Sequence, residues 1–136
     1  MTNKKISSSE LENFIGTERY FKEGLSSLKL TEGMQYLREN ANCYWLTTIV
    51  ASVQHTKKVM FHQDFIIWRL VRLSETTASV QGFYDCEENG LYSESKLVYS
   101  QDIGYTDFPF EDLGIKFGDA FEFYQCGEVL LLKSEY

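Results

Sequence analysis

Apolar positions recur at helical spacing through the first half of the chain and at every second residue through much of the second. Ser7 followed by Glu10 has the spacing of a capping box, with Leu11, Phe14 and Ile15 behind it and Gly16 as a stop. A second helix begins after Thr31, where Met34, Leu37 and Ala41 share one stripe. Asn42 is placed to cap a third. There Trp45, Leu46, Ile49, Val50 and Val53 make one continuous apolar face, the strongest periodic pattern in the chain. Thr47, Thr48 and Ser52 on its other side predict a helix lying on a sheet rather than inside it.

Beyond residue 64 the pattern changes. Phe65–Leu73 is rich in β-formers and apolar on both faces near its start, as an inner strand requires. Thr77–Tyr84 alternates, and Asn89-Gly90 is a hairpin sequence leading into a strand over Leu91–Tyr99. Leu113, Ile115 and Phe117 alternate after the only proline, Pro109, and Phe121–Gln125 and Val129–Leu132 flank a turn at Cys126-Gly127. These elements predict an α+β domain in which N-terminal helices pack on one face of a C-terminal antiparallel sheet of about five strands. One domain is expected over residues 1–136, with residues 1–8 as a flexible polar tail.

Composition supports a folded core: 43% of residues are hydrophobic, and the 2 Trp, 9 Tyr and 10 Phe each bring a large area to bury. No apolar run approaches the roughly 18 residues of a membrane span, and the start has no signal-peptide pattern. Three widely spaced cysteines do not make a disulfide framework, so a reducing, cytoplasmic setting is expected. The net charge of −7 divides unevenly. Residues 1–72 hold ten basic and seven acidic residues (+3), and residues 73–136 hold three and thirteen (−10). Such an acidic balance argues against direct binding to nucleic acid, which needs a basic patch.

Catalytic patterns are absent. There is no CxxC, HxH or HxxxH for zinc, no GxSxG, and no P-loop or GxGxxG phosphate cradle. His55 and His62 lie seven apart across an expected loop. Cys43 falls in the first turn of the third helix, where the dipole favours a thiolate, although a small semi-buried hydrophobe is the more ordinary role there. Cys86 lies among acids that oppose ionisation, and Cys126 sits in a turn without a base. The remaining feature is a set of acids: Asp85, Glu87, Glu88, Glu94, Glu111, Asp112, Asp119, Glu122 and Glu128. Acids two apart on a strand repeat at roughly 6.6 Å, comparable to the phosphate spacing of nucleic acid. Acids at hairpin tips more commonly keep a domain soluble and guard its sheet edges.

Gly16–Phe21 (GTERYF), residues 31–46 (TEGMQYLRENANCYWL), Tyr105–Pro109 (YTDFP) and the ending Val129–Tyr136 (VLLLKSEY) carry a resemblance that runs over nearly the whole chain. They resemble a small family of bacterial and phage proteins of unknown function. The resemblance implies one domain and a role in phage–host conflict, and it brings no catalytic residue, metal or cofactor. The resulting expectation is a non-enzymatic acidic module that binds another protein through a basic surface. In its narrow form this is an anti-CRISPR-like inhibitor of a nucleic-acid-binding defence complex. The nine acids are the candidate contact residues, with no membrane partner. Two other classes stay open: a small cytosolic enzyme using Cys43 or His62, and a self-associating structural protein in which the basic half of one copy meets the acidic half of another.

Overall fold

Helix and strand boundaries follow the side chains that close them. A computed structural model describes residues 6–24 and 26–136. Ser7 Oγ accepts from the Glu10 amide at 3.3 Å and opens α1 (Ser8–Glu12). The helix closes at Asn13, before the expected glycine stop. Ile6 is buried, so the expected tail does not extend over residues 6–8; its first five residues lie outside the described ones. Thr31 Oγ1 accepts from the Met34 amide at 3.3 Å to open α2 (Glu32–Asn40). α3 (Tyr44–Ser52) starts after Cys43 rather than Asn42, whose φ of 52° turns the chain between the two helices. Residues expected to form a loop between His55 and His62 instead contain a six-residue helix, α4 (Lys57–His62), anchored by fully buried Val59.

The sheet is α+β in class, as expected, but has seven strands and is mixed. β3 (Ile66–Arg72), β4 (Ala78–Phe83), β5 (Leu97–Ile103), β6 (Ala120–Cys126) and β7 (Val129–Leu132) form an antiparallel body. Two strands of two residues each, β1 (Phe21–Lys22) and β2 (Lys29–Leu30), come from the half that reads as helical. β2 lies parallel to β7, giving the order β1-β2-β7-β6-β3-β4-β5. Strands this short show no alternation in sequence, which is why they go unread there. The strand expected from Leu113 to Phe117 is a loop. Gly114 and Gly118 take φ of 71° and 86°, and Ile115 donates back to the Phe110 carbonyl at 2.9 Å. The Asn89-Gly90 turn does form, but it bends a thirteen-residue connection over residues 84–96 instead of joining two strands tightly.

Alternation sorts the sheet residues onto two faces. Ile66, Trp68, Leu70, Val80, Phe123, Leu130 and Leu132 join Met34, Leu37, Leu46, Val50 and Val59 in one buried cluster. Ile67, Phe83 and Leu131 are also buried but lie outside that cluster, on the side without helices. Most polar groups inside the helical layer are paired, Arg38 Nε being an exception. The Trp68 indole N–H donates to Gln125 Oε1 at 3.1 Å, and Gln125 exchanges two amide hydrogen bonds with Gln54 at the end of α3, at 2.7 and 2.9 Å. Glu23, beyond β1, accepts from Arg38 of α2 at 2.7 Å and Thr47 of α3 at 3.0 Å, which ties the small β1–β2 hairpin to both helices. Glu135 folds the chain end onto α2, accepting from the Thr31 hydroxyl at 2.5 Å, the Gly33 amide at 3.1 Å and the Leu132 amide at 2.9 Å.

Gly82 stands opposite Trp68 on β4, where an added Cβ would lie 2.8 Å from the indole ring. Gly82→Ala is therefore expected to lower stability by about 1–3 kcal/mol through overpacking. Gly104→Ala, with nothing within 4 Å of its would-be Cβ, serves as the control and should be near neutral. Chemical denaturation of the two variants checks this, and equal midpoints would show that the indole can move aside.

Candidate functional site

The helix-free face is where side chains converge without being consumed by the core. Register places Glu122, Arg69, Gln81 and Ser100 side by side on β6, β3, β4 and β5, a polar row across the middle of the face. Lys133, just past β7, extends it by donating to Glu122 Oε1 at 3.0 Å, while Arg69 Nε donates to Glu122 Oε2 at 2.8 Å. Against the cost of its burial, these two cations hold the Glu122 carboxyl below its usual range.

The connection over residues 84–96 crosses this row as a strap. Its Tyr92 ring lies 4.2 Å from the Arg69 guanidinium and 4.9 Å from the Phe83 ring. Burial, then the charge and hydrogen bonding of Glu122, push the Tyr92 phenol upward, so it stays a neutral donor. At the foot of the strap Lys96 donates to the Cys86 carbonyl at 3.1 Å and stands 3.9 and 3.7 Å from Asp85 and Glu87. Between strap and sheet lies a cleft of about 320 Å³. On the other side of the polar row Phe65, Tyr124 and Tyr136 pack ring against ring at 5.0–5.3 Å.

The nine candidate acids do not form one face. Asp85, Glu87, Glu88 and Glu128 fall at the end of the sheet where β3 starts, and Glu111, Asp112 and Asp119 at the end where it finishes. Glu94 and Glu122 lie over the middle. Only Glu122 is in a strand, so the strand-spaced ladder of charges is not formed. Four are engaged internally. Asp85 and Glu87 flank Lys96, Glu122 holds Arg69 and Lys133, and Glu111 accepts from Arg72 at 2.9 Å. Arg72 in turn donates to the Ile115 carbonyl at 2.8 Å and lies against Phe110 and Phe117, pinning the loop after β5. The side chains of Glu88, Glu94, Asp112, Asp119 and Glu128 are exposed and have no hydrogen bond or ion pair among the described residues.

Cys43 is fully buried, and desolvation pushes its thiol up to about 12, so it lacks the thiolate character its helix-start position suggests in sequence. His62 lies flat on Tyr84 at 4.1 Å with Phe61 edge-on at 4.8 Å. Among the described residues no group of three or more His, Cys, Asp or Glu converges as a metal site requires, and no helix is long and apolar enough to cross a membrane. The Arg69–Tyr92 cleft escapes a linear reading because its walls lie about 30 residues apart in the chain; Arg at an inward strand position next to apolar neighbours is its one sequence trace.

Two outcomes follow for measurement. In native protein at neutral pH, iodoacetamide should label Cys86 ahead of Cys43, which should react only on unfolding; peptide mass spectrometry that finds Cys43 labelled first would contradict its enclosure. Glu122→Gln should cost roughly 1–3 kcal/mol at neutral pH. Because Arg69 and Lys133 hold the folded carboxyl below its ordinary range, this contribution is present above the unfolded value and is lost as pH falls through the lower folded one. Unfolding curves should therefore converge in acid, and a constant gap between variant and wild type would refute the role of the charge.

Among curated proteins and solved structures nothing matches the chain. A protein-family model does match, over residues 5–136. The chain, in nearly its whole length, belongs to the family of unknown function DUF6876.

Proposed function

We propose that the protein is a non-catalytic binding module whose partner is another protein with a basic surface. The reading is supported by one observation: unpaired acids occur in the same loops as exposed large apolar side chains. Leu91, 64% exposed, lies three residues from Glu88 in the strap, and Phe117, 59% exposed, lies two residues from Asp119. Acids that only confer solubility need no apolar neighbours, whereas protein interfaces combine an apolar centre with a charged rim. In its narrow form the partner is a defence complex that binds nucleic acid, and the acids occupy its basic groove.

The structure also shows which acids a test can reverse. Lysine at Glu87 or Glu111 would face Lys96 or Arg72, so those changes perturb the fold itself. Two doubly reversed proteins, Glu88→Lys/Glu128→Lys and Asp112→Lys/Asp119→Lys, remove no internal pair. Immobilised wild-type protein should retain a defined component from the heparin-binding fraction of a nuclease-treated bacterial lysate. At least one double variant should lose it with its circular dichroism unchanged. Added duplex DNA should compete if the narrow form holds. Equal retention by both variants and the wild type would sink the acidic-contact reading.

A further inference from the structure

Beyond that protein-binding reading, we propose that the cleft beneath the strap binds a free α-amino acid with a compact apolar or aromatic side chain. At about 320 Å³ the cleft lies at the small end of the roughly 300–1,000 Å³ typical of small-molecule sites. Its walls carry two opposite charges, Arg69 and Glu94, which form no ion pair with each other. The Arg69 side chain is only 19% exposed, and its Nε is committed to Glu122. With the Tyr92 ring against its face, the guanidinium is held in place while Nη1 and Nη2 have no hydrogen-bond partner among the described residues. Glu94 has no partner either. Beside Arg69 the Gln81 amide makes no hydrogen bond, and Phe83, Leu97 and Tyr92 supply the apolar wall.

This arrangement selects by charge layout. A fixed guanidinium edge matches a carboxylate with two parallel N–H···O bonds, and Gln81 can add a donor to it. The Glu94 carboxylate accepts from an ammonium group, and the apolar wall takes a side chain. A phosphate dianion would meet Glu94 and Glu122, and a simple amine would meet Arg69, so each leaves one charge opposed. An α-amino acid presents both charges about one carbon apart together with an apolar group. Arg69 needs no reorganisation on binding because Glu122, braced by Lys133, already positions it.

The test titrates the full chain with L-leucine and L-phenylalanine, following Tyr92 ring and Arg69 Nε–H resonances. N-acetyl-L-leucine, which lacks the ammonium, and L-leucinamide, which lacks the carboxylate, are the controls. Saturable binding of at least one amino acid is expected, weakened about tenfold or more by removal of either ligand charge. Glu94→Gln should weaken leucine by a similar factor while leaving N-acetyl-leucine unchanged. Because the Glu94 side chain makes no hydrogen bond or ion pair among the described residues, this variant isolates the contact. Arg69→Lys, which keeps the charge and loses the fork, should weaken both ligands. Absence of saturable shifts with both amino acids, or equal leucine binding by wild type and Glu94→Gln, overturns the proposal. The reversed-charge variants at Glu88, Glu128, Asp112 and Asp119 lie outside the cleft and should bind leucine normally, so the two readings fail separately.

Discussion

Trp68 sits on β3, the middle strand of the five-stranded antiparallel body, with its indole fully buried, and its N–H has to be satisfied away from solvent. A buried donor left unpaired costs about 1–3 kcal/mol. Gln125 on the neighbouring strand accepts that hydrogen, and its own amide is then completed by Gln54 at the end of α3 and by the Gly127 carbonyl in the β6–β7 turn. One side chain therefore fixes the register of β3 against β6, the seat of α3 and the geometry of the last hairpin. On the opposite strand the ring occupies the space that a side chain at position 82 would need, and glycine is what leaves it open. The helical layer is organised around this group, with Glu23–Arg38–Thr47 and Glu135–Thr31–Gly33 closing its margins.

The other face of the sheet follows a different logic. Its apolar side chains are few and are covered by the strap and by the Phe65–Tyr124–Tyr136 rings rather than by helices. The polar row between them is held by charge: Arg69 and Lys133 share Glu122, and Tyr92 roofs the guanidinium. A strap held by a few polar and ring contacts leaves a cleft where a strap held by a hydrophobic core would leave none. The two proposed recognition surfaces thus fall on separate parts of the molecule, the protein-binding one on unpaired acids at the two sheet ends and the ligand-binding one on the row at its centre.

Membership of a family of unknown function, matched over residues 5–136, assigns the chain no chemistry. What the geometry adds is a division among the acids. Asp85, Glu87, Glu111 and Glu122 brace lysines and arginines of the same chain, so four of the thirteen acids in the second half are structural. The uncompensated remainder is smaller than the −10 of that half suggests and is spread over both ends of the sheet.

Local chemistry was legible in the residues alone: the caps at Ser7 and Thr31, the apolar stripe of α3, the long strands β3 and β4 and the Cys126-Gly127 turn all follow from short-range periodicity and capping. So was the α+β class, because it depends on the order of those elements. The two-residue strands, the parallel β2–β7 pair, the six-residue α4 and the loop at Leu113–Phe117 were not, because each is shorter than a period or is dictated by partners distant in sequence. The same holds for the site. Composition determined that the second half is acidic, but only tertiary structure decided which acids are paired and which are free. It also brought Arg69 and Glu94 to one cleft, because a sheet joins residues by register across strands and not by their separation along the chain.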